Sequence, residues 1–337
     1  MQNIEQAGLN LLPAIAYGDA AGLPVETWTV PQIKAHYGWL HRLEIVTGNP
    51  YFGNENRAGV WSDDTQLSMA VAKAITVSGT FDIQAQATAF VDAYNETPRI
   101  QYKGQLVPRG WGGSTTNAAK RIAEGVSPLE SGELGGAGNG VVMKLAPLVY
   151  WQAAQRISDA DRYDQYDKIT TMTHDSDTAR WASRVHGDIL HSLLTSDVAN
   201  TPDYMAAHII ATARKHEVVL GIQDQVSDCL QYLLQADALD QEYILKHTDA
   251  KGFYVPQTLA MVYGVFLRQP KSLEQAVYMA VNMGGDTDST ASIIAGMFNF
   301  YKKGDVLLPG DVSKLQDLRT LQSVSRALTQ VALKGAK

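Results

Sequence analysis

Two short acidic motifs carry the densest chemistry in the sequence. Trp61-Ser62-Asp63-Asp64-Thr65 runs directly into an apolar-periodic segment, and Gly284-Gly285-Asp286-Thr287-Asp288-Ser289 directly precedes another, residues 290–300. Ser and Asp are favoured N-caps, and acids in a first turn favour the helix dipole, so capping explains part of each motif. Capping does not call for four carboxylates. Adjacent Asp63 and Asp64, like Asp286 and Asp288 two positions apart, would repel one another if crowded, and divalent cations would relieve that repulsion. With the hydroxyls of Ser62, Thr65, Thr287 and Ser289 they make an all-oxygen donor set, suited to magnesium, manganese or calcium rather than zinc or copper.

Four further segments have weaker signals. Gly18-Asp19-Ala20-Ala21-Gly22-Leu23-Pro24-Val25-Glu26 is expected to end the first helix at its glycines and to place both acids in a loop. There Asp19 could serve local backbone groups and Glu26 could be solvated surface. The position of Glu26 between Pro24 and Trp28 fits a loop that moves over a site. Gly135-Gly136-Ala137-Gly138-Asn139-Gly140 precedes an apolar segment expected to be helical over residues 141–150, where backbone N–H groups could meet a phosphate. It lacks the Gly-Lys-Ser/Thr of a Walker loop, and no expected strand precedes it as a dinucleotide fingerprint requires. Arg109-Gly110-Trp111-Gly112-Gly113-Ser114 is a second such turn, also before a helix, and its aromatic could simply pack. His174, in Thr173-His174-Asp175-Ser176-Asp177, reads by itself as a capping or surface residue.

The elements that must position these residues are helical. Ile4, Ala7, Leu11, Leu12 and Ile15 recur at the spacing of an apolar stripe, as do Leu67, Ala70, Val71, Ala74 and Ile75. The period returns at Leu230, Leu233 and Leu234, at Leu259, Val262, Tyr263 and Phe266, and at Leu315, Leu318, Leu321, Val324 and Leu328. Alternating strand segments are scarce. Gly, Pro and Trp gather in residues 18–62, 98–113 and 128–140, long non-helical stretches of the kind that usually serve function. No internal repeat, low-complexity segment or linker divides the 337 residues, so one all-α domain spanning 1–337 is expected.

Composition narrows the class of function. Hydrophobic residues at 45% and charged residues at 19% are those of a folding globular chain. A net charge of −7 without a basic patch argues against nucleic acid as a partner. The lone Cys229 can form no intrachain disulfide and fits a reducing, cytoplasmic compartment. The first residues lack the basic region of a signal peptide, and the apolar run over residues 9–17 meets Asp19 before reaching spanning length, so neither secretion nor a membrane is expected.

Taken in order, GDAAGLPVE (18–26), WSDDTQLSMA (61–70), RGWGGSTTNAA (109–119), GAGNGVVMKLAPL (136–148), THDSDTA (173–179) and NMGGDTDSTASIIAGM (282–297) resemble the successive motifs of the ADP-ribosylglycohydrolase family. The resemblance spans roughly residues 8–300 and implies an all-α fold. Carried over position by position, it makes Ser62, Asp63, Asp64, Asp286, Asp288 and Ser289 ligands of a binuclear magnesium or manganese centre. Many relatives have Thr where Ser62 and Ser289 stand, and the hydroxyl survives in both places. Glu26 matches a glutamate beside the metals; Gly112, Gly113 and Ser114 match a loop along the distal ribose. Gly136, Ala137, Gly138 and Asn139 match the diphosphate turn, and His174 matches a histidine lining the cleft. The implied reaction is release of ADP-ribose through an oxocarbenium-like transition state, with Glu26, Asp64 or Asp286 taking a proton from water. Linkage to arginine is slightly preferred over serine. Hydrolysis of another nucleotide, or a non-catalytic ADP-ribose-binding or crystallin-like role, stands beside it.

Overall fold

The computed structural model describes residues 2–196 and 201–334. Among these, fourteen α-helices follow one another: α1 Gln2–Gly22, α2 Val30–Tyr37, α3 Asp63–Ser78, α4 Ile83–Glu96, α5 Gly113–Ala123, α6 Ala146–Gln155 and α7 Asp159–Thr171, then α8 Asp177–Thr195, α9 Pro202–Leu220, α10 Gln241–His247, α11 Val255–Leu267, α12 Leu273–Val281, α13 Thr287–Tyr301 and α14 Leu318–Lys334. Two small sheets interrupt them. Strands β1 Arg99–Tyr102 and β2 Gln105–Pro108 pair antiparallel, and β3 Glu133–Leu134 pairs parallel with β4 His174–Asp175. The fold is all-α, as its periodicity implies. No helix among the described residues is long and apolar enough to cross a membrane.

Helix α13 is the centre of the packing. Every residue from Thr287 to Phe300 is buried, the polar residues of its first turns included. Helices α1 and α12 lie against it, and α14 packs on α1. The contact is unusually close, because a Cβ on Gly18 would sit 2.2 Å from the Ala291 carbonyl oxygen and one on Gly22 would sit 2.2 Å from that of Thr287. Only glycine permits such an approach. Thr287 Oγ1 fastens the pair by donating to the Gly22 carbonyl at 2.8 Å.

That contact corrects the expectation for residues 18–26. The glycines do not end α1; they let it continue past Asp19 to Gly22, and a 3₁₀ turn at Leu23–Val25 then delivers Glu26. Helix α2 also lies inside the stretch expected to be irregular, with the Gln32 side chain accepting from the Thr29 N–H at its start (2.7 Å). The β1–β2 hairpin occupies most of residues 98–113. Its two-residue turn uses Lys103 and Gly104, both at positive φ (48° and 81°), which matches the twist of paired strands.

Two other boundaries shift. Residues 139–141 form a 3₁₀ turn, and α6 begins at Ala146 with Pro147 in its first turn, since proline has no N–H to continue a helix begun at 141. The glycine-rich turn therefore does not open an α-helix. Leu230 and Leu233 are buried from a 3₁₀ helix, Val226–Leu234, whose last residue is exposed.

Candidate active site

The two acidic motifs meet because α1 touches the start of both helices that follow them. At α3, Ser62 is the N-cap and its side chain accepts from the Asp64 N–H at 3.3 Å. Asp19, reaching across from α1, accepts from the Ser62 N–H (2.9 Å), the Thr65 N–H (3.0 Å) and Thr65 Oγ1 (2.6 Å). Asp19 thus serves backbone more than forty residues away rather than its own loop. With the α3 terminus satisfied in this way, Asp63 and Asp64 are free of capping duty. Asp64 accepts from Ser292 Oγ (2.6 Å), Ser289 Oγ (3.2 Å) and Ser62 Oγ (3.4 Å), joining the two motifs directly.

At α13, Asp286 occupies the N-cap position but makes no capping bond with its side chain. Its Oδ2 instead accepts from Asn139 Nδ2 at 2.6 Å. Gly284 and Gly285 precede it at φ of 73° and 78°, and a Cβ on either would strike a backbone carbonyl, that of Trp28 or of Lys251. This bare backbone lets residues 27–28 pair with Gly285: Thr27 donates to its carbonyl (2.7 Å) and Gly285 donates to that of Trp28 (2.9 Å).

Glu26 is consequently fixed in place. Its side-chain carboxylate accepts from Asn49 Nδ2 at 2.8 Å, and the residue is only 8% exposed. The expected mobile surface loop is therefore replaced by a pinned, buried acid. Carboxylate oxygens of Glu26, Asp286 and Asp288 all lie within 4.8 Å of one another, a spacing that could hold a metal ion.

Electrostatics set this cluster apart. Burial, above all, pushes Asp19 up to about 7, Asp64 to about 6 and Asp286 to about 8. Burial also holds Asp63, Asp288 and Glu26 well above the usual carboxylate range, with the next contribution from the charges of Asp64, Asp286 and Asp288 respectively. Asp288 Oδ1 is buried with no hydrogen-bond partner. A buried, unpartnered carboxylate oxygen among like charges is costly, and hard divalent cations with oxygen ligands fit this donor set.

The acids form one wall of a cleft of about 510 Å³. Gly112, Gly113, Ser114, Gly138, Asn139 and His174 also line it, with Asp63, Asp64, Asp286, Asp288, Ser289 and Glu26. Ser62, Gly136 and Ala137 are not among the residues that line it. Gly112 is the N-cap of α5, as its motif implies, whereas Ala137 spends its carbonyl on the Val255 N–H. His174 is neither cap nor surface: it is 3% exposed, in β4, and burial lowers its pKa to about 3.

Several lining residues escape the sequence reading. Tyr51 and Tyr102 face each other at the rim with ring centroids 5.4 Å apart, and Phe253 stands nearby in the lining. Asn49 supports Glu26 while its Oδ1 accepts from the N–H groups of Tyr51 and Phe52. No local pattern marks these residues; the positive-φ turn at Lys103-Gly104 is the one signal that could have flagged the Tyr102 hairpin.

The family model for ADP-ribosylglycohydrolase matches residues 3–335. The chain belongs to the ADP-ribosylglycohydrolase family. Its enzyme class is accordingly that of an ADP-ribosyl hydrolase. Among relatives, it is 24% identical to the ADP-ribosyl-[dinitrogen reductase] glycohydrolase of Rhodospirillum rubrum, over 96% of this chain and 95% of that one. It is 23% identical to the ADP-ribosylarginine hydrolase Tri1 of Pseudomonas putida, over 83% of this chain and 66% of that protein. A solved ADP-ribosylglycohydrolase-related protein complex shares the fold, with a TM-score of 0.71, 20% identity and coverage of 98% of this chain and 100% of that one.

Proposed function

We propose that this member of the family releases ADP-ribose from arginine side chains with the help of two magnesium or manganese ions. The observation that carries the reading is the convergence of Glu26, Asp63, Asp64, Asp286 and Asp288 on one wall of a cleft whose other walls are two glycine-rich turns and His174. Ser62, Asp63, Asp64, Asp286, Asp288 and Ser289 would hold the ions. When bound, such ions polarise ribose hydroxyls and make a coordinated water easier to deprotonate.

The chain's own residues supply the rest. Glu26, oriented by Asn49, takes the proton of the attacking water, with Asp64 and Asp286 as the alternative acceptors. Gly112, Gly113 and Ser114 run along the distal ribose. The turn at Gly136, Ala137, Gly138 and Asn139 presents backbone to the diphosphate, with His174 behind it. The substrate resembles other glycosides in passing through an oxocarbenium-like state, which the acid wall stabilises electrostatically.

Two features favour arginine as the acceptor. The rim pair Tyr51 and Tyr102 beside an acidic wall suits a guanidinium, through ring faces and charge. Two of the relatives above carry ADP-ribosylated arginine or ADP-ribosylated protein in their names. A cytoplasmic site of action is consistent with the single cysteine. The test is incubation with matched ADP-ribosyl-arginine and ADP-ribosyl-serine peptides, with and without magnesium, followed by mass spectrometry. Magnesium-dependent release from arginine is expected. Release from serine alone would overturn the acceptor, and phosphate release from other nucleotides without ADP-ribose cleavage would overturn the reaction.

A further inference from the structure

A line of hydrogen bonds runs from the protein interior to the cleft beneath the glycine-rich turn. Lys144 is 1% exposed, and its ammonium donates to the Gly140 carbonyl at 2.6 Å and to Thr173 Oγ1 at 3.2 Å. Thr173 Oγ1 in turn lies 2.9 Å from His174 Nδ1 and 3.4 Å from the Thr170 carbonyl oxygen. Burial lowers the Lys144 pKa to about 7, against the opposing charge of Asp63, and in its ammonium form the group can only donate, whereas a hydroxyl has a single hydrogen to give. With its oxygen accepting from Lys144, Thr173 gives that hydrogen along the shorter contact, to Nδ1. A neutral imidazole that accepts at Nδ1 carries its own proton on Nε2.

The far side of the ring is where the turn is built around it. A Cβ on Gly136 would lie 3.3 Å from His174 Cδ2, one on Gly138 3.2 Å from Nε2, and one on Gly140 3.3 Å from Cε1. Alternate glycines therefore leave the space that the imidazole fills, and Nε2 emerges at the cleft lining beside Gly138. Nε2 makes no hydrogen bond to the protein among the described residues. Burial keeps the ring neutral, with its pKa near 3, so the group on offer is one uncharged N–H.

We propose that Lys144 is a positioning residue which, through Thr173, fixes His174 as the Nε2–H tautomer and aims that N–H at an anionic oxygen of the substrate's diphosphate. The ligand assignment rests on the function proposed above; the relay does not. A lysine that merely filled the interior would leave the tautomer unchanged when replaced.

The test uses the full chain with ring-labelled histidine, His174 being assigned by its loss in His174→Gln. Long-range proton–nitrogen NMR of the ligand-free protein should show His174 as Nε2–H in the wild type. A shift towards Nδ1–H, or a mixture, is expected in Lys144→Met and in Thr173→Val, with the preference retained in Lys144→Arg. Calorimetry with ADP-ribose and magnesium should show affinity reduced about tenfold in each of the first two variants, the scale of one hydrogen bond to a charged oxygen. The double variant should lose no more than either alone, because both act through one bond. Thr173→Val leaves the buried lysine in place, so it answers the question even if Lys144→Met does not fold. The Nδ1–H form in the wild type, or unchanged tautomer and affinity in a folded Thr173→Val protein, overturns the relay. The Nε2–H form in a wild type that binds no ADP-ribose supports the relay and overturns the diphosphate assignment and the proposed function.

Discussion

Asn139 and Asp286, 147 residues apart, are joined by a 2.6 Å hydrogen bond from the amide to the carboxylate. The same amide donates to the Gly252 carbonyl at 3.0 Å, so the glycine-rich turn and the second acidic motif hold one another in register. Asn139→Ala should lower magnesium affinity or turnover roughly 10- to 100-fold, as loss of a group that orients a metal ligand typically does. Calorimetric titration with magnesium beside a steady-state assay measures both. Unchanged values would reduce the bond to a loop tether.

The crowded carboxylates make a second expectation, opposite in sign for stability and activity. Replacing Asp288 by Asn removes a buried charge with an unpartnered oxygen, so the metal-free protein should melt about 2 °C or more higher than wild type. Turnover should disappear, and magnesium should no longer raise the melting temperature. Calorimetry after EDTA treatment and magnesium add-back reads all three. A variant that loses stability without metal and keeps activity contradicts the proposed centre.

Glu26→Gln isolates the proton acceptor. The amide keeps size and can still accept from Asn49, so the fold should persist while the single-turnover rate falls by roughly two to four orders of magnitude. Magnesium affinity should change little if Glu26 handles the proton. Because its oxygens approach those of Asp286 and Asp288, a joint loss of metal and rate would instead make it a ligand.

Far from the cleft, His186 gives the fold a pH dependence. Its Nδ1 lies 3.3 Å from the Tyr263 hydroxyl, between α8 and α11, and burial lowers its pKa from 6.5 to about 3. Between those values the unfolded chain binds a proton that the folded chain refuses. Stability from this group is therefore complete above pH 6.5 and is lost as pH falls towards 3, by about 1.4 kcal/mol per unit. Urea unfolding at several pH values should give His186→Gln a slope shallower than wild type by about that amount. Equal slopes would mean that the folded protein protonates the ring.

What was legible in the sequence was what short segments decide for themselves. The start of α3 follows from its cap Ser62 and that of α13 from the apolar period after Asp286, and four carboxylates at two helix starts exceed what capping needs. Tertiary contact decided the rest. Gly18 and Gly22 look like helix stops, but their bare surfaces are used to reach α13. Glu26 looks like solvated loop until Gly284 and Gly285, at the other end of the chain, supply the backbone that pins residues 27–28. Asn49 carries no motif, and Ser292 lies within NMGGDTDSTASIIAGM without a marked role; each is recognisable only by the carboxylate it meets. The burial of His174 depends on three glycines that a local reading assigns to phosphate alone.

The close contact between α1 and α13 also governs when the site can exist. Its carboxylates come from the turn after α1, the start of α3 and the start of α13, and they face one another only once α13 has docked on α1. Such distant pairings form late, after the entropy of closing a loop of more than two hundred residues has been met. A nascent or proteolytically shortened chain ending before residue 284 would keep Glu26, Asp63 and Asp64 but lack Asp286 and Asp288. Tight divalent binding should therefore appear as a single step with completion of the fold during synthesis, so that the ion reports a finished chain rather than guiding an unfinished one.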